Sequence, residues 1–151
     1  MVECIDASVV VKWFKKDEPY RKEAEKLYRR IRDLETEFVA SEWILLEVTR
    51  GLVKANVKRE DSEEACDILN DLFSVGAVKR IPVSGVMDSA NGIELDLNLY
   101  AADAVHLATA IITNSRILWS EDEHLHKKNV TEYARKHGLN IQKLSKIRSN
   151  E

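Results

Sequence analysis

The apolar residues of this chain alternate between short continuous runs and longer stretches in which they recur every three or four positions. Short apolar runs bounded by polar residues predict buried β-strands, whereas the longer spacing predicts amphipathic helices. Five runs are predicted to be strands: VECI, EFVA, AVKRIPV, RILWS and NIQKL. Regular alternation of strand and helix is typical of βαβ units, so we expect a parallel sheet with helices on both faces.

The periodic stretches predict seven helices. Pro19 is expected in the first turn of the second, where its missing N–H costs no hydrogen bond. Ser41 is expected to be the N-cap of the third. The predicted helices cover residues 8–16, 19–34, 42–56, 61–76, 84–97, 101–113 and 131–137.

Length and composition indicate one domain. A chain of 151 residues with 44% hydrophobic residues can bury one sizeable core. Its five Gly and two Pro are not clustered, so residues 1–151 show no linker, and they end in a basic, then polar, tail at 143–151. No apolar stretch reaches the roughly 18 residues that span a bilayer, and the N-terminus does not resemble a leader. We expect a soluble, cytoplasmic protein without a membrane partner.

The overall charge restricts how the protein can bind nucleic acid. A net charge of −3 and a pI near 5.9 exclude a polycationic binding surface over the whole chain. Contacts with nucleic acid would need local basic patches or a bound metal. Cys4 and Cys66 are predicted to be small core residues, since their spacing suggests neither a disulfide framework nor a thiolate metal site.

Four acidic residues lie beside apolar segments. Asp6 follows VECI, Glu47 interrupts ILLEV, Asp103 begins DAVHLATAII, and Asp122 follows ILWS. Parallel sheets bind ligands beyond the carboxyl ends of their strands, where Asp6, Ser120 and Asp122 are expected. Glu47 and Asp103 are expected near the beginnings of helices that pack at the same edge. The sequence therefore predicts that the four carboxylates converge.

Converging carboxylates need a counter-charge. Two unit charges about 4 Å apart repel by about 1 kcal/mol in water, and by several times more in a cleft. A divalent cation supplies the compensation. Because the predicted ligands are all oxygen atoms, Mg²⁺ or Mn²⁺ is favoured over Zn²⁺.

Each acid also has a purely structural explanation. Asp6 can be the N-cap of the following helix, and Asp103 can be a first-turn acid that the helix dipole favours. Glu47 can be the charged rim of an amphipathic helix, and Asp122 can be a solvated loop residue. The metal hypothesis depends on the coincidence of all four.

Four segments of the chain resemble a known family. IDASVVVKWF, SEWILLEVTRGL, LYAADAVHLATA and LWSEDEHL are similar, in order and spacing, to the four acidic motifs of PIN-domain nucleases, and most closely to the VapC toxins. The resemblance covers residues 2–128, and its most specific parts are DASV from Asp6 and DAVHLATA from Asp103. Ser120 stands where such proteins often carry Thr. The hydroxyl is retained, to hydrogen-bond a metal-bound water or a ligand carboxylate.

The resemblance implies a fold, a site and partners. The fold would be a three-layer α/β/α sandwich around a central parallel sheet of four to five strands. Asp6, Glu47, Asp103 and Asp122 would bind Mg²⁺ or Mn²⁺, and with Ser120 they would carry out endonucleolytic cleavage of RNA. The resemblance also implies a homodimer and, for the toxin branch, a cognate antitoxin whose peptide blocks the site.

Basic residues near the acids are candidates for RNA contacts. Arg50, Lys54 and Lys58 recur at four-residue spacing on the helix that carries Glu47, and Lys12 follows Asp6. Lys12, Arg50 and Lys54 are therefore predicted to bind flanking phosphates, which would give salt-sensitive binding without sequence preference. The alternative is a solvated helix face.

Three further side chains have open roles. Trp13 and Phe14 can stack on bases, but an adjacent aromatic pair on an amphipathic helix also suits the core or a dimer interface. His106 lies three residues after Asp103, on the same helix face, and can either orient a carboxylate or be structural.

Two other classes of function remain open at this point. A phosphoacceptor signalling domain also has an acidic Mg²⁺ pocket at strand ends, but AVKRIPVSG lacks the acid that such a domain needs after its third strand. A catalytically idle PIN-like module could serve as an RNA-binding or assembly scaffold. The presence of all four acids favours activity.

Overall fold

A single parallel sheet forms the centre of the computed structural model, which describes residues 1–147. Residues 148–151 of the predicted tail lie outside this range. The five strands, all parallel, are ordered β3-β2-β1-β4-β5, which confirms the predicted sheet. The strands are β1 (Val2–Ile5), β2 (Glu37–Ser41), β3 (Val78–Ile81), β4 (Ile117–Trp119) and β5 (Asn140–Gln142).

Within residues 1–147, seven α-helices cover the two faces of this sheet. Short 3₁₀ segments follow α1 and precede α5 and α7. The helices are α1 (Ala7–Val10), α2 (Arg21–Arg32), α3 (Ile44–Lys54), α4 (Arg59–Ser74), α5 (Met87–Leu97), α6 (Ala101–Ile112) and α7 (Lys128–Lys136).

The core consists of two layers, one on each face of the sheet. Successive strand residues point to opposite faces, so Ile5 and Trp119 pack against α1 to α4, whereas Cys4 and Leu118 pack against α5 to α7. All four side chains are buried. Because both faces are covered at the centre of the sheet, β1, β2 and β4 appear in the sequence as mostly apolar runs. The arrangement confirms the predicted three-layer α/β/α sandwich.

Two predicted helix starts are wrong. Tyr20 has a left-handed φ of 61°, so α2 begins at Arg21 and Pro19 lies before the helix instead of in its first turn. Ser41 ends β2 and is not the N-cap of α3. Its hydroxyl still accepts a hydrogen bond from the Trp43 N–H (3.1 Å) and so helps to position the beginning of that helix.

The strand order creates a crevice at the carboxyl ends of β1 and β4. From β1 the chain proceeds to β2 on one side, while β4 lies on the other side, so the connections after β1 and β4 diverge. Such a divergence is where open α/β sheets bind ligands. The order 3-2-1-4-5 also differs from the 2-1-3-4-5 order of phosphoacceptor domains, which argues against that alternative.

Both cysteines are free thiols; Cys4 is buried and Cys66 is half-buried. No single helix within residues 1–147 has both the length and the apolar character needed to cross a membrane.

Candidate active site

A cleft of about 640 Å³ opens at the crevice between the ends of β1 and β4. The four predicted acids all line this cleft, and each comes from a different element of the fold. They are Asp6, Glu47, Asp103 and Asp122.

Asp6 has a structural and a cleft-facing role at once. It is the N-cap of α1, and its Oδ1 accepts hydrogen bonds from the Ser8 N–H (3.0 Å) and the Ser8 hydroxyl (2.5 Å). Burial raises the pKa of Asp6, and the charge of Glu47 adds to this, whereas His106, Ser120 and Ser8 oppose it. The charged form of the Asp6 carboxylate is therefore destabilised in the cleft, which a role as helix cap does not require.

Asp103 and Asp122 form the most crowded pair in the cleft. Asp103 lies in the first turn of α6 and is 6% exposed. Burial, followed by the charge and hydrogen-bonding proximity of Asp122 and the charge of Asp6, raises the pKa of Asp103 to about 7. Without a cation, the pair thus retains a proton near neutral pH. Asp122 also accepts a hydrogen bond from the His124 N–H (2.9 Å).

Glu47 is held by a buried histidine. Its Oε1 is hydrogen-bonded to Nε2 of His106, a side chain that is 1% exposed. Burial lowers the pKa of His106, but the hydrogen bond and charge of Glu47, with the charges of Asp6 and Asp103, outweigh burial and raise it. The acidic neighbours of His106 therefore favour its protonated form. The spacing of His106 from Asp103 indicated that it lies near the site. Its contact with Glu47 was not predictable from that spacing.

Two serines connect the ends of β1 and β4. The Ser120 hydroxyl is buried and accepts a hydrogen bond from the Asp122 N–H (3.1 Å). The Ser8 hydroxyl lies 3.5 Å from it and accepts from the Glu121 N–H (2.8 Å). Ser120 is thus at the predicted place. Ser8 was not predicted as a site residue, although its position two residues after a capping Asp is a recognisable turn signal.

The predicted basic residues separate into two groups. Arg50 and Lys54 are exposed, line the cleft, and form no ion pair within residues 1–147. Lys12 is outside the cleft. Its side chain is 8% exposed, and its Nζ donates to the Pro19 carbonyl (2.8 Å), so the expectation that Lys12 contacts nucleic acid is not supported by its position.

Trp13 and Phe14 pack against the core on the α2 face. The Trp13 indole N–H donates to the Ala24 carbonyl (2.8 Å), and the ring packs edge-on against Tyr28 with centroids 5.1 Å apart. Of the two roles considered for this pair, the structure favours the core over base stacking.

Comparison with known families identifies the chain. The PIN domain family matches residues 4–130, a span that contains all of the cleft acids. The chain belongs to the PIN domain family. No curated protein matches this PIN domain.

Solved structures share its fold. VapBC2 from Rickettsia felis, solved with a promoter DNA fragment, is 15% identical with a TM-score of 0.61, covering 95% of this chain and 98% of that chain. VapC20 of Mycobacterium tuberculosis, described as a sarcin–ricin loop cleaving toxin, is 13% identical with a TM-score of 0.63, covering 80% and 89%. FitAcB from Neisseria gonorrhoeae is 12% identical with a TM-score of 0.55, covering 97% and 99%.

The chemistry of the PIN-domain cleft suits a hard divalent cation. The four acids offer only oxygen ligands, and burial, followed by the charges of Asp122 and Asp6, raises the pKa of Asp103. Within residues 1–147, however, no three His, Cys, Asp or Glu side chains are arranged to hold an ion as they stand. The acids therefore share a cleft without being gathered around one point.

Proposed function

We propose that this PIN domain is a metal-dependent endoribonuclease that hydrolyses RNA phosphodiester bonds. The observation that carries the proposal is that four carboxylates from different elements line one cleft at the divergence of β1 and β4. Free cations on the cleft wall, Arg50 and Lys54, suit a polyanionic substrate. The similarity in fold to VapC20, which is described as a sarcin–ricin loop cleaving toxin, supports RNA as the substrate.

Asp6, Glu47, Asp103 and Asp122 would hold Mg²⁺ or Mn²⁺. When bound, the ion would lower the pKa of a coordinated water and offset charge on the phosphoryl oxygens.

The chain's own residues would position the reacting groups. Ser8 and Ser120 fix the Asp6 carboxylate and the adjoining strand ends. His106 holds one oxygen of Glu47, which leaves the other to orient the attacking water or accept its proton. Arg50 and Lys54 would bind the phosphates that flank the cleavage site.

We further propose that the protein acts as the toxin of a toxin–antitoxin pair and forms a homodimer. The similarity in fold to a structure described as a toxin–antitoxin complex from Klebsiella pneumoniae supports an antitoxin partner. Co-purification with the product of a neighbouring reading frame, followed by native mass measurement, tests both points. A monomer that captures no such product would contradict them.

Cleavage of structured RNA with Mg²⁺ or Mn²⁺ tests the nuclease itself. Asp6→Asn and Asp103→Asn should each reduce the rate by at least about a hundredfold, the scale of losing a group that stabilises the transition state. Asp88→Asn is a matched control, because Asp88 is exposed on α5 and outside the cleft. Undiminished cutting by either cleft variant would contradict the proposal. RNA binding without cleavage by the wild type would favour the idle scaffold.

A further inference from the structure

The three tryptophans of this chain differ in how their indole groups are satisfied. The indole N–H of Trp13 donates to the Ala24 carbonyl (2.8 Å), and that of Trp119 donates to the Glu3 carboxylate (2.7 Å). Trp43 is 40% exposed, and within residues 1–147 its side chain makes neither a hydrogen bond nor an aromatic contact. Its ring therefore has a free face and a free donor.

The free ring lies in the cleft of the four acids. Trp43 precedes Glu47 by one turn of helical backbone, so both project from one side of α3, about 6 Å apart along its axis. On the other side of Glu47, Arg50 and Lys54 continue the same cleft wall over about 10 Å. An aromatic ring thus lies before Glu47, and two cations without an ion pair within residues 1–147 lie after it.

This order matches the repeating chemistry of single-stranded RNA. Bases stack on exposed aromatic rings, and phosphates bind unpaired cations. Leu46 also lines the cleft and is 61% exposed, which extends the apolar surface beside the ring. A peptide partner could cover the apolar part, but it would leave two adjacent cations without a polyanionic partner. The wall as a whole therefore favours RNA.

We propose that Trp43 is a base-stacking platform that positions one unpaired nucleotide next to the scissile phosphate, while Arg50 and Lys54 bind phosphates on the other side. The inference rests on the proposed nuclease function and adds a requirement to it. A base that lies on the indole must leave its own helix, so the substrate is RNA that is single-stranded at the cleavage site. Because every base has a stacking face, the platform selects position and strandedness more than base identity.

Kinetics with abasic RNA test this role. Once a cleaved oligonucleotide is found, a series is made in which each nucleotide around the cut lacks its base in turn. Trp43→Ala should raise KM about tenfold, the scale of losing one base–aromatic stack, with kcat changed less than about twofold. One abasic position should raise the wild-type KM by a similar factor and leave that of Trp43→Ala unchanged. Trp43→Phe should stay within about threefold of wild type.

The pattern of coupling separates stacking from a structural effect. A misfolded or shifted α3 would raise KM for every oligonucleotide equally, without coupling to one base. Val53→Ala is the matched control, because Val53 lies on the same helix, is 55% exposed and is outside the cleft. It should leave all KM values unchanged.

The outcomes also distinguish the two proposals. If the wild type cuts no RNA, the nuclease function fails and the platform fails with it. If the wild type cuts but no abasic position is coupled to Trp43, only the platform is overturned. Unchanged KM values together with weakened binding of a protein partner would assign the ring to that partner, which also overturns the platform.

Discussion

Two carboxylates at opposite ends of β1 are equally buried but differently compensated. Glu3 is 1% exposed and accepts hydrogen bonds from the Arg30 guanidinium (2.6 Å) and the Trp119 indole (2.7 Å). Asp6 is 3% exposed, and the basic group that lowers its pKa, His106, is already hydrogen-bonded to Glu47. At one edge of the sheet, Glu3 is thus neutralised by groups of the protein. At the other edge, four acids line one cleft.

The difference separates an acid that the fold neutralises from acids that it does not. A buried carboxylate with its own guanidinium needs nothing from solution. The cleft acids are left with excess negative charge, and a site of this kind is stabilised when a cation or a proton arrives. The contrast can therefore be tested in three ways: by removing the cation beside Glu3, by adding a metal ion to the cleft, and by titrating the cleft acids.

Removing the counter-charge of Glu3 should have the largest effect. Arg30→Met leaves a buried carboxylate with only an indole donor, so we expect the free energy of unfolding to fall by about 3 kcal/mol. Urea unfolding measures the change. Adding Glu3→Gln to Arg30→Met should recover most of the loss, because both charges are then gone. A double variant as unstable as Arg30→Met would show that the guanidinium acts through packing alone.

Adding charge at the cleft should have the next largest effect. At a hundred times its Kd, Mn²⁺ should raise the free energy of unfolding by about 2.7 kcal/mol through preferential binding to the folded state. Asp103→Asn should lose most of this gain, whereas Asp67→Asn, an exposed change outside the cleft, should keep it. An equal metal effect on both variants would place the binding elsewhere, and EDTA should reverse the effect wherever it is seen.

Titrating the cleft in EDTA should have a smaller effect. Burial, with the charges of Asp122 and Asp6, raises the pKa of Asp103 from 3.8 to about 7, so the folded state holds this proton more tightly than the unfolded chain. That contribution to stability is complete below about pH 4 and is lost as the pH rises through about 7. Asp103→Asn does not titrate, and its stability relative to wild type should therefore improve between pH 5 and pH 8.

We expect that improvement to be about 1–2 kcal/mol, since each unit of pKa difference corresponds to about 1.4 kcal/mol and the cleft is partly solvated. Urea unfolding at the two pH values measures it. A difference between the variant and wild type that is the same at pH 5 and pH 8 would contradict the raised pKa of Asp103.

The fold was predictable where local pattern and burial agree. The central strands β1, β2 and β4 are covered on both faces, so apolar runs such as VECI and ILW identify them without further information. Helix limits were less predictable, because the left-handed conformation of Tyr20 and the 3₁₀ segment Val11–Trp13 have no distinctive composition. That segment also explains Lys12: α1 ends at Val10, and the tighter turn directs the lysine into the protein.

The site was predictable to the extent that its chemistry lies in single residues. An acid that directly follows an apolar strand, such as Asp6, can be recognised from the sequence alone. The support of Glu47 by His106 joins residues 59 positions apart, and the contact between Ser8 and Ser120 joins residues 112 apart. Such long-range pairs leave no local pattern in the sequence, so only the three-dimensional structure reveals them.

The smallest expected effect concerns the cations beside the cleft acids. Arg50→Met and Lys54→Met should each weaken RNA binding a few-fold and reduce the slope of log affinity against log salt by about 0.7 to 1, the contribution of one phosphate contact. Lys58→Met should leave the slope unchanged, because Lys58 is exposed at the start of α4 and does not line the cleft. Binding titrations in Ca²⁺ at several salt concentrations measure all three. Equal slopes for all three variants would show that Arg50 and Lys54 bind no phosphate. The RNA would then have to bind away from α3.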